Sequence, residues 1–371
     1  MWIAYFIFLP MLLTFVVLAN YAERKIAAFV QDRLGPYEVG PQGILQPIAD
    51  LLKLLQKEDI IPASADRLLH LLAPIIIFVA MFAGFAVVPL TPELIGANIS
   101  VGLFYLLAIV SIDVVGILMA GWGSNNKFSL YGAMRSAAQI VSYEVPLGLS
   151  VLCAVVIAQS LNLQEIAYQQ GIWVGNPASG QDIPNYLFGL SSLGIDITAT
   201  GGFLSWNVVR MPLLLIAFVI FFIASLAEAN RGPFDLPEAE SELVSGFHTE
   251  YSGFRWAVIM LGEYGVMLLS AFLGVTLFFG GWNTPLPNIG GLRLADYTSG
   301  TLGTWTAHAW GAFWMLGKVI LFIFFQMVAR WTYPRLRVDQ LMSLCWKYLT
   351  PIALVLFMLC CVWRLWMLPA T

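Results

Sequence analysis

The stretch AEANRGPFDLPEAESELVSGFHTEY, Ala227 to Tyr251, sets six carboxylates (Glu228, Asp235, Glu238, Glu240, Glu242 and Glu250) against one arginine, Arg231. It is preceded by MPLLLIAFVIFFIASL and followed by WAVIMLGEYGVMLLSAFLGVTLFFGG. Each flank belongs to an apolar segment long enough to cross a ~30 Å hydrocarbon layer, which takes about 20 residues. An acidic segment held between two such flanks marks a polytopic membrane protein. It also raises a question, because the whole chain is only 11% charged.

The composition agrees with that reading. The 371 residues are 59% hydrophobic, and soluble domains carry about 25% charged residues. We expect an all-α integral membrane protein, one polytopic domain over residues 1–371, with no internal repeat. Eight segments qualify as spans: Trp2–Asn20, Leu68–Leu90, Ile99–Gly121, Ala137–Ser160, Val208–Ala227, Trp256–Gly280, Ala307–Ala329 and Tyr348–Leu368. The first lacks a basic leader and is too long for a signal-peptide core, so it is expected to stay.

Orientation follows from the basic residues. Arg24, Lys25, Arg33, Lys53, Lys57, Arg67, Lys127, Arg135, Arg231, Arg255, Arg330, Arg335, Arg337 and Lys347 all fall in the odd-numbered loops, which makes fourteen of the 18 Lys and Arg. Those loops are expected inside, with both termini on the outer, periplasmic side. The inner loop 21–67 and the acidic inner loop 228–255 then face the cytoplasm.

Within the first loop, Ile44, Ile48, Leu51 and Leu55 interleave with Gln46, Asp50, Lys53 and Lys57 at helical spacing. Gly43–Glu58 is thus expected to form an amphipathic helix in the interface plane. Two readings of it stand: a cover for bundle ends, or a wall of a lateral opening to the lipid. Ahead of it Glu23, Arg24 and Lys25 lie at the inner end of the first span. In the acidic loop, Asp235 three residues before Glu238 fits a capped helix start, which leaves the other acids unexplained.

Ionisable residues also occur inside spans: Asp113, Glu144, Glu263 and Lys318. An acid at a helix centre costs on the order of 2.5–3.5 kcal/mol on insertion scales, so retained ones usually work. By helical rise, Asp113, Glu144 and Glu263 lie roughly 12–14 Å below the inner surface. One shared polar cavity opening into the acidic loop is the expectation. Lys318 either continues that path outward or pairs structurally with an acid. Pro146, close to Glu144, leaves a helix carbonyl open to water.

Other chemistry is not indicated. A net charge of −4 argues against a nucleic-acid partner. Cys153, Cys345, Cys360 and Cys361 show no C-x-x-C spacing and read as small hydrophobes. His70, His248 and His308 lack partners at ligand spacing, so no metal is expected. There is neither a G-x-G-x-x-G nor a Walker loop.

The motifs ERKIAAFVQDRLGP, GILQPIADLLKLLQKE, GWGSNNKFSLYGAMRSAAQIVSYEVPLG, ANRGPFDLPEAESELVSGFHTEYSG and RWTYPRLRVDQLM resemble, over nearly the whole chain, the H-type (mitochondrial subunit 1) membrane subunits of proton-translocating NADH:quinone oxidoreductase, respiratory complex I. The chain departs from the family pattern at Tyr37-Glu38. The resemblance implies a quinone (ubiquinone or menaquinone) as substrate, with FMN and iron–sulfur clusters carried by partner subunits and none by this chain, which would have no catalytic residue of its own. It implies a chamber and entry formed by Glu23, Arg24, Lys25, Arg33, Asp50, Arg231 and Asp235. The proton path would run through Glu144, Glu228, Glu238, Glu240, Glu242, Glu250, Glu263 and Lys318. Implied partners are the B-type and 49-kDa D-type peripheral subunits, the small membrane subunits of A, J and K type, the antiporter-like subunits and lipids, in a bacterial inner membrane. The competing readings are the counterpart subunit of an energy-converting hydrogenase, a stand-alone ion transporter and a purely structural anchor.

The orientation is testable with fusions. A reporter active only outside is expected to work after Ser160 or Gly280 and to fail after Ala229, and the reverse pattern overturns the topology.

Overall fold

The computed structural model describes residues 4–172, 187–189, 197, 200–237, 243–289 and 292–367. A π turn (Ala4–Phe8) leads into α1 (Leu9–Val30), followed by α2 (Gln46–Gln56), α3 (Arg67–Gly84), α4 (Gly102–Val110), α5 (Ile112–Gly123), α6 (Lys127–Ala158) and α7 (Leu163–Tyr168). Then come α8 (Asn207–Arg210), α9 (Pro212–Glu228), α10 (Gly253–Phe278), α11 (Leu294–Ser299), α12 (Trp305–Thr332), α13 (Val338–Ser343), a π turn (Leu344–Leu349) and α14 (Thr350–Met367). Helices dominate because a spanning backbone in lipid must satisfy its own N–H and C=O groups.

Among the described residues, seven helical segments are at least 18 residues long and apolar enough to cross a membrane. The eighth apolar helix, α9, has 17 residues. It begins at Pro212, which also forces the preceding Met211 into extended backbone (φ −124°, ψ 104°). The expected span Val208–Ala227 is therefore two helices, α8 and α9. The expected third span is likewise divided at Ser111, whose hydroxyl donates to the Leu107 carbonyl at 2.9 Å.

Three boundaries differ more, one of them the last spanning segment, which starts at Val338 instead of Tyr348. The first helix runs on to Val30 instead of stopping at Asn20, and α6 starts at Lys127 instead of Ala137. In α1 the charges that suggested an end have partners in the fold. In α6, Asn126 caps the helix by accepting from the Phe128 N–H at 2.9 Å, and a polar face there is buried in protein. The amphipathic helix is shorter than expected, Gln46–Gln56.

The bundle is organised about α10, whose apolar window is 83% buried, against 22% for the first and last spanning segments. On it, Gly262 and Gly265 let the α3 side chains Ile77 and Met81 approach to within van der Waals range, the small-residue packing common between membrane helices. α3 also packs on α5, and α6 on α5, α9 and α14.

The quoted stretch is held by one face of α6. Ser129, Gly132, Ser136 and Gln139 fall at spacings of three, four and three, so they share a stripe. The Ser129 hydroxyl donates to the Phe247 carbonyl at 2.7 Å. Gln139 Nε2 donates to the carbonyls of Ala227 and Phe234, each at 2.8 Å, and to Asn230 Oδ1 at 3.2 Å. Gly132 lies against Gly246 and Phe247, where a Cβ would sit 2.7 Å from the Phe247 nitrogen. From the other side, Leu336 N–H donates to the Pro233 carbonyl at 3.2 Å, and Arg335 pairs with Asp235 at 3.1 Å.

Prolines inside α3 and α6 each free a carbonyl four residues earlier. Neither is left to water. Tyr251 Oη donates to the His70 carbonyl freed by Pro74, at 3.2 Å, and burial pushes the Tyr251 hydroxyl up, so it stays a donor. Cys345 Sγ donates to the Ser142 carbonyl freed by Pro146, at 3.0 Å.

Gln139→Leu keeps the shape of the stripe but leaves the Phe234 carbonyl without its donor and the Ala227 carbonyl with the Asn230 N–H alone. A buried unpaired polar group costs about 1–3 kcal/mol. A lower thermal midpoint and faster proteolysis within 227–251 are expected, with Ser129→Ala milder in both measurements.

Candidate functional site

Between α1, α2, α10 and α12 lies a cavity of about 530 Å³. Its walls are apolar, with Leu13, Val16 and Val17 from α1, Leu51 and Leu54 from α2, and Leu261 from α10. Charged groups gather at one end: Glu23, Arg24, Arg33, Asp50, Arg231, Glu263 and Arg330. The amphipathic helix is thus a wall of this cavity. Leu51 lines it, yet Leu51, Ile44, Ile48 and Leu55 are all exposed.

Glu23 is the hub of the charged end. Its Oε2 lies 3.5 Å from Arg231 Nη1 and accepts from the Tyr264 hydroxyl at 2.6 Å. Its Oε1 pairs with Arg330 Nη1. The Arg231 guanidinium lies over the Tyr264 ring, 4.1 Å from the centroid, a cation–π contact strengthened by desolvation. Glu23 and Arg231 are each only 7% exposed, and burial of such charges is tolerated when they are paired and hydrogen-bonded. Nearer the rim, Arg24 pairs with Asp50 at 2.7 Å, and Gln46 Nε2 donates to Asp50 at 3.1 Å. The Arg24–Asp50 pair ties α1 to α2.

A second, much smaller cavity of about 10 Å³ is lined by Asp113, Glu228 and Glu263 with Asn230, Ile77 and Phe247 among its walls. About 10–15 Å³ is room for one water. Glu144 and Asp113 both lie close enough to repel the Glu228 carboxylate. Of the acids expected to share a cavity, Asp113 and Glu263 line this one together with Glu228, and Glu144 lies near Glu228 without lining it. Glu263 lines both cavities.

Other expected residues fall elsewhere. Lys25 Nζ donates to the Leu34 carbonyl at 3.4 Å and lies over the Tyr21 ring, outside the cavity lining. Asp235 is bound to Arg335, and the helix it was expected to cap runs on from Pro237 into 238–242, outside the described residues. Glu238, Glu240 and Glu242 also lie there. Glu250 accepts from Asn126 Nδ2 at 2.6 Å and lines neither cavity. Lys318 pairs with no acid among the described residues. Its ammonium donates to the Phe279 and Asn283 carbonyls at 2.8 and 2.7 Å and lies over the Trp206 ring. It closes the far end of α10, where helix carbonyls favour a cation.

Arg330 and Tyr264 went unnoticed as site residues in the sequence. Arg330 served only to orient the chain, and a tyrosine in a span carries no signal of its own. Its place beside Glu263 was the available clue.

A family model described as NADH dehydrogenase matches residues 3–361. The chain belongs to that family. It is 61% identical over 359 residues to an H-type subunit of the NADH-quinone oxidoreductase of Cytophaga hutchinsonii, covering 97% of this chain and 98% of that one. The H-type counterpart from Chlorobium luteolum is 53% identical, covering 93% of this chain and 84% of its own length. That of Bacillus cytotoxicus is 46% identical, covering 95% and 92%. The matches run through both cavities and the acidic stretch, so membership rests on the whole chain. Among the described residues no group of three or more His, Cys, Asp and Glu could hold a metal ion.

Proposed function

We propose that this chain is the membrane subunit of an NADH:quinone oxidoreductase that forms the membrane side of the quinone chamber and the first stretch of its proton-coupling path. The observation that carries the proposal is Glu263, which lines both the large cavity and the acidic one. A cavity of about 530 Å³ with apolar walls and one charged end suits an amphiphile, since ligand pockets run from about 300 to 1,000 Å³. Quinone is the substrate class that fits, and it supplies an acceptor of electrons and protons from the redox groups of partner subunits.

The chain's own residues then do three things. Leu51, Leu54 and the α1 valines guide an apolar tail between α1 and α2. The Glu23–Arg231–Arg330–Tyr264 cluster keeps positive charge and donors at the inner end of the chamber. Glu263 senses charge there and shares it with Glu228, Asp113 and Glu144, because carboxylates interact strongly at short range in low dielectric. Peripheral redox subunits above the chamber, other membrane subunits beside it, lipids around it, and an inner-membrane orientation with both termini outside complete the proposal. The hydrogenase counterpart is disfavoured, since the relatives reported above are all named as quinone oxidoreductase subunits.

Two outcomes are expected. Leu51→Trp should raise the apparent KM for long-tailed quinones severalfold while leaving short-tailed ones nearly unchanged, and equal effects on both remove α2 from the entry. In reconstituted vesicles, Glu144→Gln and Glu263→Gln should each lower NADH:quinone turnover and pumping together by roughly fivefold, the equivalent of about 1 kcal/mol. The double variant should be clearly non-additive. NADH oxidation with an artificial acceptor and subunit stoichiometry are the controls. A normally assembled double variant that turns over and pumps like the parent ends the path hypothesis.

A further inference from the structure

Cys345 lines neither cavity, and the function proposed above makes no use of it. Its surroundings are nevertheless specific. Pro146 has no N–H, so the Ser142 carbonyl lacks its helical donor, and the Cys345 thiol donates to that oxygen at 3.0 Å. Cys345 is fully buried. It is presented by the π turn Leu344–Leu349, where the Thr350 N–H reaches back five residues to the Cys345 carbonyl, which also accepts the Thr350 hydroxyl at 2.9 Å. One turn earlier, Tyr143 Oη donates to the Leu341 carbonyl at 3.1 Å. Residues 341 and 345 thus grip Ser142 and Tyr143, and the next residue of α6 is Glu144.

We propose that Cys345 is a positioning residue for Glu144. Its thiol stands in for the N–H missing at residue 146, closes the proline-interrupted turn of α6, and so fixes where the Glu144 carboxyl stands relative to Glu228. A hydroxyl can make the same bond, whereas an alanine cannot. Without the thiol the Ser142 carbonyl, buried and two residues before the acid, is either unpaired or hydrated, and Glu144 loses its fixed place. The effect on activity rests on the proton-path reading above. The thiol–carbonyl bond itself does not.

The test uses the assembled complex carrying Cys345→Ala, Cys345→Ser, Pro146→Ala and the Cys345→Ala/Pro146→Ala pair. In the infrared spectrum, the S–H stretch lost in Cys345→Ala should be a hydrogen-bonded, low-frequency band in the parent. It should move up in Pro146→Ala, because the backbone N–H restored by that substitution reclaims the Ser142 carbonyl. Cys345→Ala should lower quinone-linked turnover about three- to tenfold and shift its pH profile, while Cys345→Ser retains both. In the Pro146→Ala background, Cys345→Ala should cost nothing further. Equal losses in Cys345→Ala and Cys345→Ser overturn the proposal, as does an equal cost of Cys345→Ala with and without Pro146 or an S–H band that Pro146→Ala leaves in place. If the Pro146 variants do not assemble, the alanine and serine comparison decides. Glu144→Gln separates the two readings. If that variant behaves like the parent, the proton path fails, while the S–H band and the background dependence of the thermal midpoint still judge the clamp.

Discussion

The structure depends on the polar stripe of α6 that holds the backbone of residues 227–251. A non-helical segment beside membrane spans has carbonyls and N–H groups that lipid cannot satisfy, and such backbone survives only where protein meets its hydrogen bonds. Ser129 and Gln139 supply those donors, Ser136 donates to the Asn230 side chain, and Gly132 lets the two backbones meet. Because Ala227 and Asn230 are anchored in this way, Glu228 between them is held within the small acidic cavity. The same anchoring places Arg231 against Glu23. Both halves of the site therefore hang on one helix face.

The acids divide according to their partners. Glu23, Asp50 and Asp235 are met by Arg231 with Arg330, by Arg24, and by Arg335. These pairs weld α1 to α2, α1 to α12, and the acidic segment to the stretch after α12. Among the described residues no cation pairs with Asp113, Glu144 or Glu228. Paired charges in a protein interior act as fixed structure, whereas acids that face chiefly one another respond to any change in neighbouring charge. Of the acids in residues 227–251, Asp235 binds Arg335, Glu250 accepts from Asn126, and Glu228 lies in the small cavity, which Glu263 joins to the large one.

Much of the fold was legible in the sequence. The apolar segments, the amphipathic helix, a cavity shared by Asp113 and Glu263, and the family motifs follow from local or periodic properties, and each corresponds to something in the structure. The ends of α1 and α6 were not legible, because hydropathy counts a charge as a cost whatever its partner. Glu23 meets partners 208 and 307 residues away, and no window along the chain contains them.

The sequence by itself determined that the chain lies in a membrane, where its apolar helical segments fall and which residue types are too costly to be idle there, since these follow from transfer energies and helical periodicity. Only the tertiary structure decided what each charge does. It set Lys318, for which the sequence left open a place on the path or an acid as partner, against the carbonyls at the end of α10, tied Asp235 to Arg335, and raised Arg330 and Tyr264 into the site. It also gave the carbonyls freed by Pro74 and Pro146 to Tyr251 and Cys345. Pairing is a matter of distance in space, and two side chains in a low dielectric interact by the ångströms between them, not by their places along the chain.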